Sequence, residues 1–437
     1  MSASADTADR VGGRASAGYA SGSLVTGAFT TVPGLLLLPY LTDTLGVAAG
    51  LAGVLVFAAK VWTVVLNPVA GRVSDRTTTR IGPRRPYVLG AGLAVGVAFA
   101  GMFAGPFAAA AGAAWAIGGY LLASTAFAFF QAPYAAMPAE MTDDYRERTR
   151  LMSWRVAGIA VATLVSGAVA PLVVGRYGGG LPGHRAMGLV VGALIAGGAL
   201  LAFLGTRTAM RASAPPERRL RAQLAVAAGN RGFRRLLVIV TVQSAATGAM
   251  LAGAAYVARL VLRDPAATSA LVVAFTAPAI VALPVLVRIG ARMDKQRGVL
   301  AGSLAFVAAG LAWLAVPEAA PLPVVLAIGV ALGAANAVQD TFVLAILPDC
   351  IAAETARTGR RHAGMFAGLF SAGQGLGFAV GPLLYGLVLE LAGYVPSTTG
   401  DAAAQSGGTV TAVLLGFALL PTVLTLASLP ALRRWPG

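Results

Sequence analysis

Apolar stretches of about 20 residues recur along the whole 437-residue chain, and they restrict the possible folds more than any other feature. A helix needs about 20 apolar residues to cross the hydrocarbon core of a bilayer, whereas helices of soluble proteins keep a polar face. Hydrophobic residues make up 57% of the chain and charged residues 11%. The sequence therefore predicts an all-α membrane protein.

We expect twelve transmembrane helices in two six-helix bundles. Residues 1–206 would form the first bundle, residues 207–234 a cytoplasmic linker and residues 235–437 the second bundle. The predicted spans cover residues 19–42, 48–71, 87–108, 111–137, 152–175, 186–206, 235–262, 267–290, 299–316, 321–346, 364–392 and 409–429.

The distribution of basic residues predicts the orientation of these spans. A net charge of +16 would also fit a nucleic-acid-binding protein. However, the arginines concentrate in the loops after spans 2, 4, 6, 8 and 10, and the other loops hold mainly Arg176, Arg185 and Arg263. Basic loops stay on the cytoplasmic side of a membrane. We therefore expect a multi-pass protein of the cytoplasmic membrane with both termini in the cytoplasm and no nucleic-acid partner.

Signals for catalysis or metal binding are weak. The chain has two histidines, His184 and His362, and one cysteine, Cys350, which cannot build a Cys/His metal cluster. The phosphate-binding pattern Gly-x-x-x-x-Gly-Lys-Ser/Thr does not occur in the sequence. We expect no catalytic residue, no metal, no cofactor and no enzymatic activity.

A loop motif repeats at an interval of six spans. Gly71 to Arg76 follows span 2 and Gly290 to Lys295 follows span 8, and both segments read glycine, three residues, aspartate and a base. Pro138 and Pro348 close spans 4 and 10, and each precedes an acid and a basic cluster. Repeated six-helix halves around a central cavity are typical of transporters.

We expect these loops to act as gates. The aspartates would pair with loop arginines and hold the two halves together in one conformation, and those pairs would break as the halves rock. The predicted gating residues are Gly71, Asp75, Arg76, Arg80, Arg84, Arg85, Glu140, Asp144, Arg148, Asp294, Asp349, Arg360 and Arg361.

The same loops carry a resemblance to a known family. The chain resembles the glycoside–pentoside–hexuronide:cation symporters, the melibiose-carrier branch of the major facilitator superfamily. The resemblance implies sugar or glycoside transport by alternating access. It rests on GRVSDRTTTRIGPRRPY (71–87), APYAAMPAEMTDDYRERTRLMSWR (132–155), LPDCIAAETARTGRRHAGMFAGL (347–369) and PYLTDTLGV (39–47).

The acidic site of the melibiose carriers is mostly neutral in this chain. Their two cation-site aspartates of span 2 fall on Thr63 and Asn67, the aspartate of span 4 falls on Gln131, and the sugar-binding aspartate of span 1 falls on Gly27. Thr63, Asn67 and Gln131 offer neutral oxygen ligands, without the negative charge that favours a buried Na⁺. We therefore expect proton coupling rather than sodium coupling.

Further polar residues within the spans are candidates for solute binding. Lys60, Trp62 and Arg155 match a basic residue, a tryptophan and an arginine of the carriers, and Gln374 lies beside the position of their span 11 lysine. Gln243 lies on span 7. Lysine and arginine also extend toward the interface, and glutamines also bridge helices.

Asp340 is the candidate for the coupling ion. It lies nine residues before Asp349, which is roughly 13 Å along a helix that rises 1.5 Å per residue. Charged groups at such a depth are costly and are functional candidates by default. Alternatively, Asp340 pairs with Lys60, Arg155 or Arg259 and only ties helices together.

These observations predict a secondary active transporter for a small polar solute, with H⁺ and the lipid bilayer as further partners and a monomeric state. An exporter of a larger, less polar compound, such as a secondary metabolite or drug, is the alternative. A non-transporting membrane scaffold would be expected to lose the gating loops, which are intact.

Overall fold

The computed structural model describes residues 11–142, 144–207, 229–290, 293–317, 320–358, 363–400 and 403–432, and these residues form helices joined by short loops. The helices are α1 (Gly13–Ser21), α2 (Ser23–Asp43), α3 (Ala49–Asp75), α4 (Arg85–Phe103), α5 (Ala109–Met141), α6 (Tyr145–Arg176), α7 (Gly180–Gly205), α8 (Arg231–Tyr256, continued by a π-helical turn Val257–Val261), α9 (Ala267–Gly290), α10 (Lys295–Ala312), α11 (Leu322–Thr358), α12 (Ala363–Leu391) and α13 (Gly407–Ser428).

These helices correspond to the twelve predicted spans, which confirms the fold class. Helices α1 and α2 meet at Gly22 and form the first span together. In the described part of the chain, eleven spans are long and apolar enough to cross a membrane, and α9 is apolar over Ala267–Ala282. Several helices exceed their predicted bounds. Helix α11, for example, continues to Thr358, because its backbone hydrogen bonds run on through polar residues beyond the apolar segment.

The two halves of the chain meet through three pairs of helices. Helix α3 packs on α12, α6 packs on α9, and α2 packs on α8. A shift of six spans converts the first of these pairs into the second, so the interface has the pseudo-two-fold symmetry that the repeated loop motif predicts. Most of the predicted linker lies outside the described residues, and α8 begins within its last part.

Small residues allow the helix backbones to approach closely within each half. Gly96 on α4 and Gly192 on α7 face each other, and a Cβ atom added to either residue would lie 2.7 Å from the carbonyl oxygen of the other. Because lipid provides little hydrophobic drive for helix association, such close packing is a main source of stability in a membrane.

This contact predicts a difference between two alanine substitutions in α7. Gly192→Ala should lower the free energy of unfolding by about 1–3 kcal/mol, because the methyl group meets the α4 backbone. Gly197→Ala is the control, since nothing lies within 4 Å of its added Cβ, and removing a helical glycine is favourable by roughly 0.5–1 kcal/mol. Thermal unfolding in detergent measures both effects, and equal stability of the two variants would contradict this packing.

Candidate functional site

Arg84 organises the polar end of the first half. Its guanidinium donates to Glu140 Oε1 at 2.8 Å and to Ser74 Oγ at 2.6 Å, and it lies 2.5 Å from Asp75 Oδ1. The side chains of Arg84 and Glu140 are only 9% and 4% exposed. Arg84, at the start of α4, therefore joins the ends of α3 and α5 through buried charged hydrogen bonds.

The second half repeats this arrangement at the same end of the bundle. Lys295, at the start of α10, lies 2.7 Å from Asp349 of α11. Asp294 caps α10 by accepting a hydrogen bond from the backbone N–H of Arg297 at 2.9 Å. The Lys295 and Asp349 side chains are 36% and 57% exposed, so this pair is far weaker than its counterpart in the first half. We call this end of the bundle, which carries the arginine-rich loops, the basic end.

The gating pairs were expected to join the two halves, and here the structure differs. The pairs around Arg84 and Lys295 each lie within one half, as does Arg85, which donates to the carbonyl oxygen of Phe203 at 2.7 Å. Gly71 accepts a hydrogen bond from Ser74, and Arg148 donates to the Thr142 carbonyl. The backbone N–H of Arg148 also donates to the Asp144 carbonyl. Arg76 and Arg80 are exposed, whereas Arg360 and Arg361 lie outside the described residues.

The halves are joined instead at the opposite end of the bundle, around Asp43. This buried carboxylate accepts hydrogen bonds from Arg259 and from the Tyr394 hydroxyl, the latter at 2.7 Å. The backbone carbonyl of Asp43 accepts from Gly400 N–H at 2.9 Å, and the Thr42 hydroxyl lies 2.8 Å from the Tyr256 hydroxyl. Asp43 belongs to the first half and all these partners except Thr42 belong to the second, so Asp43 is the centre of a cross-half contact.

Sequence reasoning missed the role of Asp43. The residue lies in the segment PYLTDTLGV, which carries only the family resemblance, and nothing in the sequence indicates that Arg259 is its partner. The signal was an acid and a base at the ends of spans 1 and 7, which are equivalent positions in the two halves. The two residues are far apart in sequence, so a local sequence pattern does not predict that they are in contact.

Lys60 and Asn67 lie on the face of α3 that meets the second half. The Lys60 Nζ donates to the carbonyl oxygen of Phe378 on α12 at 3.1 Å. Asn67 has a buried Oδ1 without a hydrogen-bond partner in the described part of the protein. Thr63 donates to the carbonyl of Ala59 in its own helix.

Trp62 faces away from this interface. Its side chain is 45% exposed and lies on a stripe of exposed apolar residues at helical spacing with Leu51, Val54, Val65 and Val69. In a membrane-spanning helix, an exposed apolar stripe faces lipid. The Trp62 Nε1 donates to Thr125 on α5 at 2.9 Å, so we remove Trp62 from the candidate site.

Arg155 and Gln131 lie between the helices of the first half. The Arg155 guanidinium carbon lies 5.3 Å from the centre of the Tyr134 ring, and the Arg155 Nε is buried without a hydrogen-bond partner among the described residues. Gln131 Oε1 accepts from the Thr26 hydroxyl at 2.8 Å. Arg155 therefore makes a cation–π contact with Tyr134. Its Nε–H is a hydrogen-bond donor without an acceptor in the described structure.

A polar chain connects α8 and α11 in the second half. The Thr247 hydroxyl donates to Asn336 Oδ1 at 3.1 Å, and Asn336 Nδ2 donates to Asp340 Oδ2 at 3.0 Å. Asp340 is exposed although it lies at the centre of α11. Among the described residues, neither Lys60, Arg155 nor Arg259 forms an ion pair with Asp340. Arg259 pairs with Asp43 instead.

The two glutamines of the candidate site differ in their surroundings. Gln243 is buried, and its amide donates to the hydroxyls of Ser303 and Ser428, which ties three helices together. This geometry favours a structural role, so we leave Gln243 out of the proposed site. Gln374 is half-buried on α12, one helical turn before Phe378, and stays a candidate.

Comparison with known families identifies the chain. The sequence model of a family described as MFS/sugar transport protein matches residues 18–436. The chain belongs to this family. Its relatives include an uncharacterized symporter YnaJ of Bacillus subtilis, which is 25% identical over 92% of this chain and 88% of that protein. The glucuronide carrier protein homolog of Escherichia coli is 27% identical over 86% and 83%.

A third relative is more similar over a shorter segment. The putative glycoside/cation symporter YagG of Escherichia coli is 34% identical over 36% of this chain and 34% of that protein. The chain is thus similar to a putative glycoside/cation symporter and to a glucuronide carrier homolog, in agreement with the family resemblance of its loop motifs.

Solved structures confirm the fold. A D-xylose-proton symporter superposes with a TM-score of 0.70 at 13% identity and covers 97% of this chain and 98% of that chain. A bacterial homologue of the human lysosomal transporter Spinster, in an inward-facing and unoccupied conformation, gives a TM-score of 0.69 at 13% identity over 96% and 95%. The family and the fold show that this protein is a secondary transporter of the major facilitator kind.

The two ion pairs of the basic end should differ in their contribution to stability. Arg84→Met should lower the free energy of unfolding by about 3–5 kcal/mol, because it leaves a buried Glu140 carboxylate without its charged partner. Lys295→Met is the matched control and should cost about 0–1 kcal/mol, since its pair is exposed. Thermal unfolding in detergent measures both, and similar losses in the two variants would contradict the assigned difference.

Asp43→Asn should weaken the contact between the halves at the opposite end. Spin labels at Tyr177→Cys and Val395→Cys, in a Cys350→Ala background, report the distance between the halves there, since both positions are exposed. We expect Asp43→Asn to add a longer distance in pulsed electron spin resonance, because Arg259 loses its charged partner. Asp264→Asn, in a loop at the same end, should leave the distribution unchanged. An unchanged distribution in Asp43→Asn would contradict its role.

Proposed function

We propose that this protein carries a small polar solute, a sugar or glycoside, across the cytoplasmic membrane by alternating access, and that H⁺ is the coupling ion. The two halves, residues 1–206 and 235–437, are the moving bodies, and the basic end faces the cytoplasm because arginine-rich loops remain on that side. The relatives named as glycoside and glucuronide carriers support this class of solute. The proposed unit is a monomer.

The observation that carries the proposal is the position of Asp340. Its carboxylate is exposed on α11, nine residues or roughly 13 Å before Asp349 at the basic end, and it is linked through Asn336 to Thr247 on α8. A carboxylate within a membrane span needs water, a proton or a cation. We assign Asp340 to the aqueous opening between the halves, where it takes up and releases the proton.

The neutral positions on α3 and α5 support a proton over Na⁺. Thr63 is bonded to its own helix, and the Gln131 oxygen is occupied by Thr26. Na⁺ bound at these positions would therefore be coordinated by neutral oxygens alone, without the negative charge of a carboxylate. One carboxylate on α11 is sufficient for a proton.

Four residues form the proposed solute site, and each has a polar atom to offer. Arg155 carries a buried Nε and Asn67 a buried Oδ1, both without a partner in the described regions. Lys60 has two further donors besides the one that binds Phe378, and Gln374 is half-buried one turn away from that residue. Hydroxyl groups of a sugar can both donate to Asn67 and accept from Lys60 or Arg155.

The proposal predicts that Asp340→Asn uncouples solute movement from protons. Proteoliposomes with a pH-sensitive dye inside receive D-xylose, D-glucose, methyl glucoside or methyl glucuronide. The native protein should move protons with at least one of these solutes. Asp340→Asn should transport that solute at the rate seen without a pH gradient, because a carboxamide neither binds nor releases a proton in this pH range.

Asp264→Asn is the control, since that exposed carboxylate accepts a hydrogen bond from the Ala266 N–H in the loop between α8 and α9, and it should keep coupled transport. Full pH-gradient-driven uptake in Asp340→Asn would overturn the assignment of the proton site. Transport that requires Na⁺ in the native protein would overturn the choice of coupling ion.

A further inference from the structure

A proline in α12 creates an acceptor for Lys60. Pro382 lies inside this helix and has no N–H group, so the carbonyl oxygen four residues earlier has no helical donor. That residue is Phe378, whose carbonyl accepts the hydrogen bond from Lys60 Nζ at 3.1 Å. A side chain of the first half thus satisfies a backbone group that the second half leaves open.

This hydrogen bond lies beside a close backbone contact between α3 and α12. A Cβ atom on Gly53 would lie 3.1 Å from the Pro382 carbonyl oxygen, and one on Gly386 would lie 2.6 Å from the Ala49 carbonyl oxygen. Both contacts lie between Lys60 and the opposite end of the bundle. Separation of the halves at that end must break the Lys60 hydrogen bond together with these contacts.

Lys60 has no stronger partner in the described structure. None of the ion pairs found within 4.0 Å among the described residues includes it. A Cβ on Gly34 would lie 3.7 Å from Nζ, so the ammonium lies where α2, α3 and α12 meet. A charged group at such a site needs hydrogen-bond acceptors, and the Phe378 carbonyl is the protein acceptor that the structure provides.

We propose that Lys60, Phe378 and Pro382 form a latch between the two halves, which holds the opposite end closed and releases the Lys60 ammonium when that end opens. The latch rests on the alternating access proposed above and adds a specific contact to it. In this conformation the Phe378 carbonyl occupies one donor of the ammonium. In the other conformation that donor turns to water or to an oxygen of the solute. A contact present in only one of two states shifts their populations.

Two single substitutions test the latch without any solute. Lys60→Met removes the donor and keeps the length of the side chain. Pro382→Ala leaves Lys60 in place and gives the Phe378 carbonyl a helical N–H donor, which occupies one of its two lone pairs and weakens the hydrogen bond from Lys60. With the spin-label pair at Tyr177 and Val395, Lys60→Met should raise the population of the long distance roughly tenfold, which is the effect of losing one hydrogen bond to a charged group. Pro382→Ala should raise the same population by a smaller factor.

The controls separate the latch from a general loss of helix packing. Lys60→Arg retains a charged donor and should keep most of the short distance. Pro421→Ala restores a backbone N–H in α13, away from the interface between α3 and α12, and should change nothing. The double variant Lys60→Met/Pro382→Ala should open the end no further than Lys60→Met alone, because Pro382→Ala acts through the hydrogen bond that Lys60→Met has already removed.

Additive effects of the two substitutions, or an unchanged distribution in either one, would overturn the latch. Asp43→Asn distinguishes this failure from a failure of alternating access. If Asp43→Asn opens the end while Lys60→Met does not, the halves move and only the latch is wrong. If none of these variants changes the distance in liposomes, the latch and the proposed rocking of the halves are both wrong.

Discussion

The bilayer offers no water to polar groups, so each charge and each free backbone group within the spans must find its partner in the protein or in an aqueous cavity. This constraint explains the most informative contacts. Pro382 leaves the Phe378 carbonyl open, and Lys60 binds it. Asp43 is buried and is bound by groups from both halves. Asp340 is exposed within the predicted span 10, and we propose that an aqueous opening solvates its charge.

The ion pairs of the two ends have different functions. At the basic end, the buried pair of Arg84 and Glu140 fixes the geometry within one half and need not break during transport. At the opposite end, Asp43 and Arg259 belong to different halves and must separate when that end opens. Arg76 and Arg80 are exposed at the basic end, and their predicted gating role is that they bind the other half in the alternate state.

The fold could be predicted from the sequence, because the length of the apolar spans, the basic loops and the repeated loop motif can all be read from short contiguous segments. The partners within the site depend on helix packing and could not be predicted in this way. Trp62 shows the difference, since the family resemblance implies a place in the site whereas its position on α3 places it on an exposed apolar stripe. Asp43 shows the converse, because its partners Arg259 and Tyr394 lie far away in sequence.

The most direct test of proton-coupled sugar transport is the melting temperature of the purified protein with a panel of solutes, at two pH values and with or without Na⁺. A solute that binds the folded state raises the melting temperature by mass action. We expect that a sugar or glycoside stabilises the protein, that the effect depends on pH and that Na⁺ adds nothing. Stabilisation only by bulky amphiphilic compounds, or only in the presence of Na⁺, would contradict this mechanism and would favour an exporter or a sodium symporter instead.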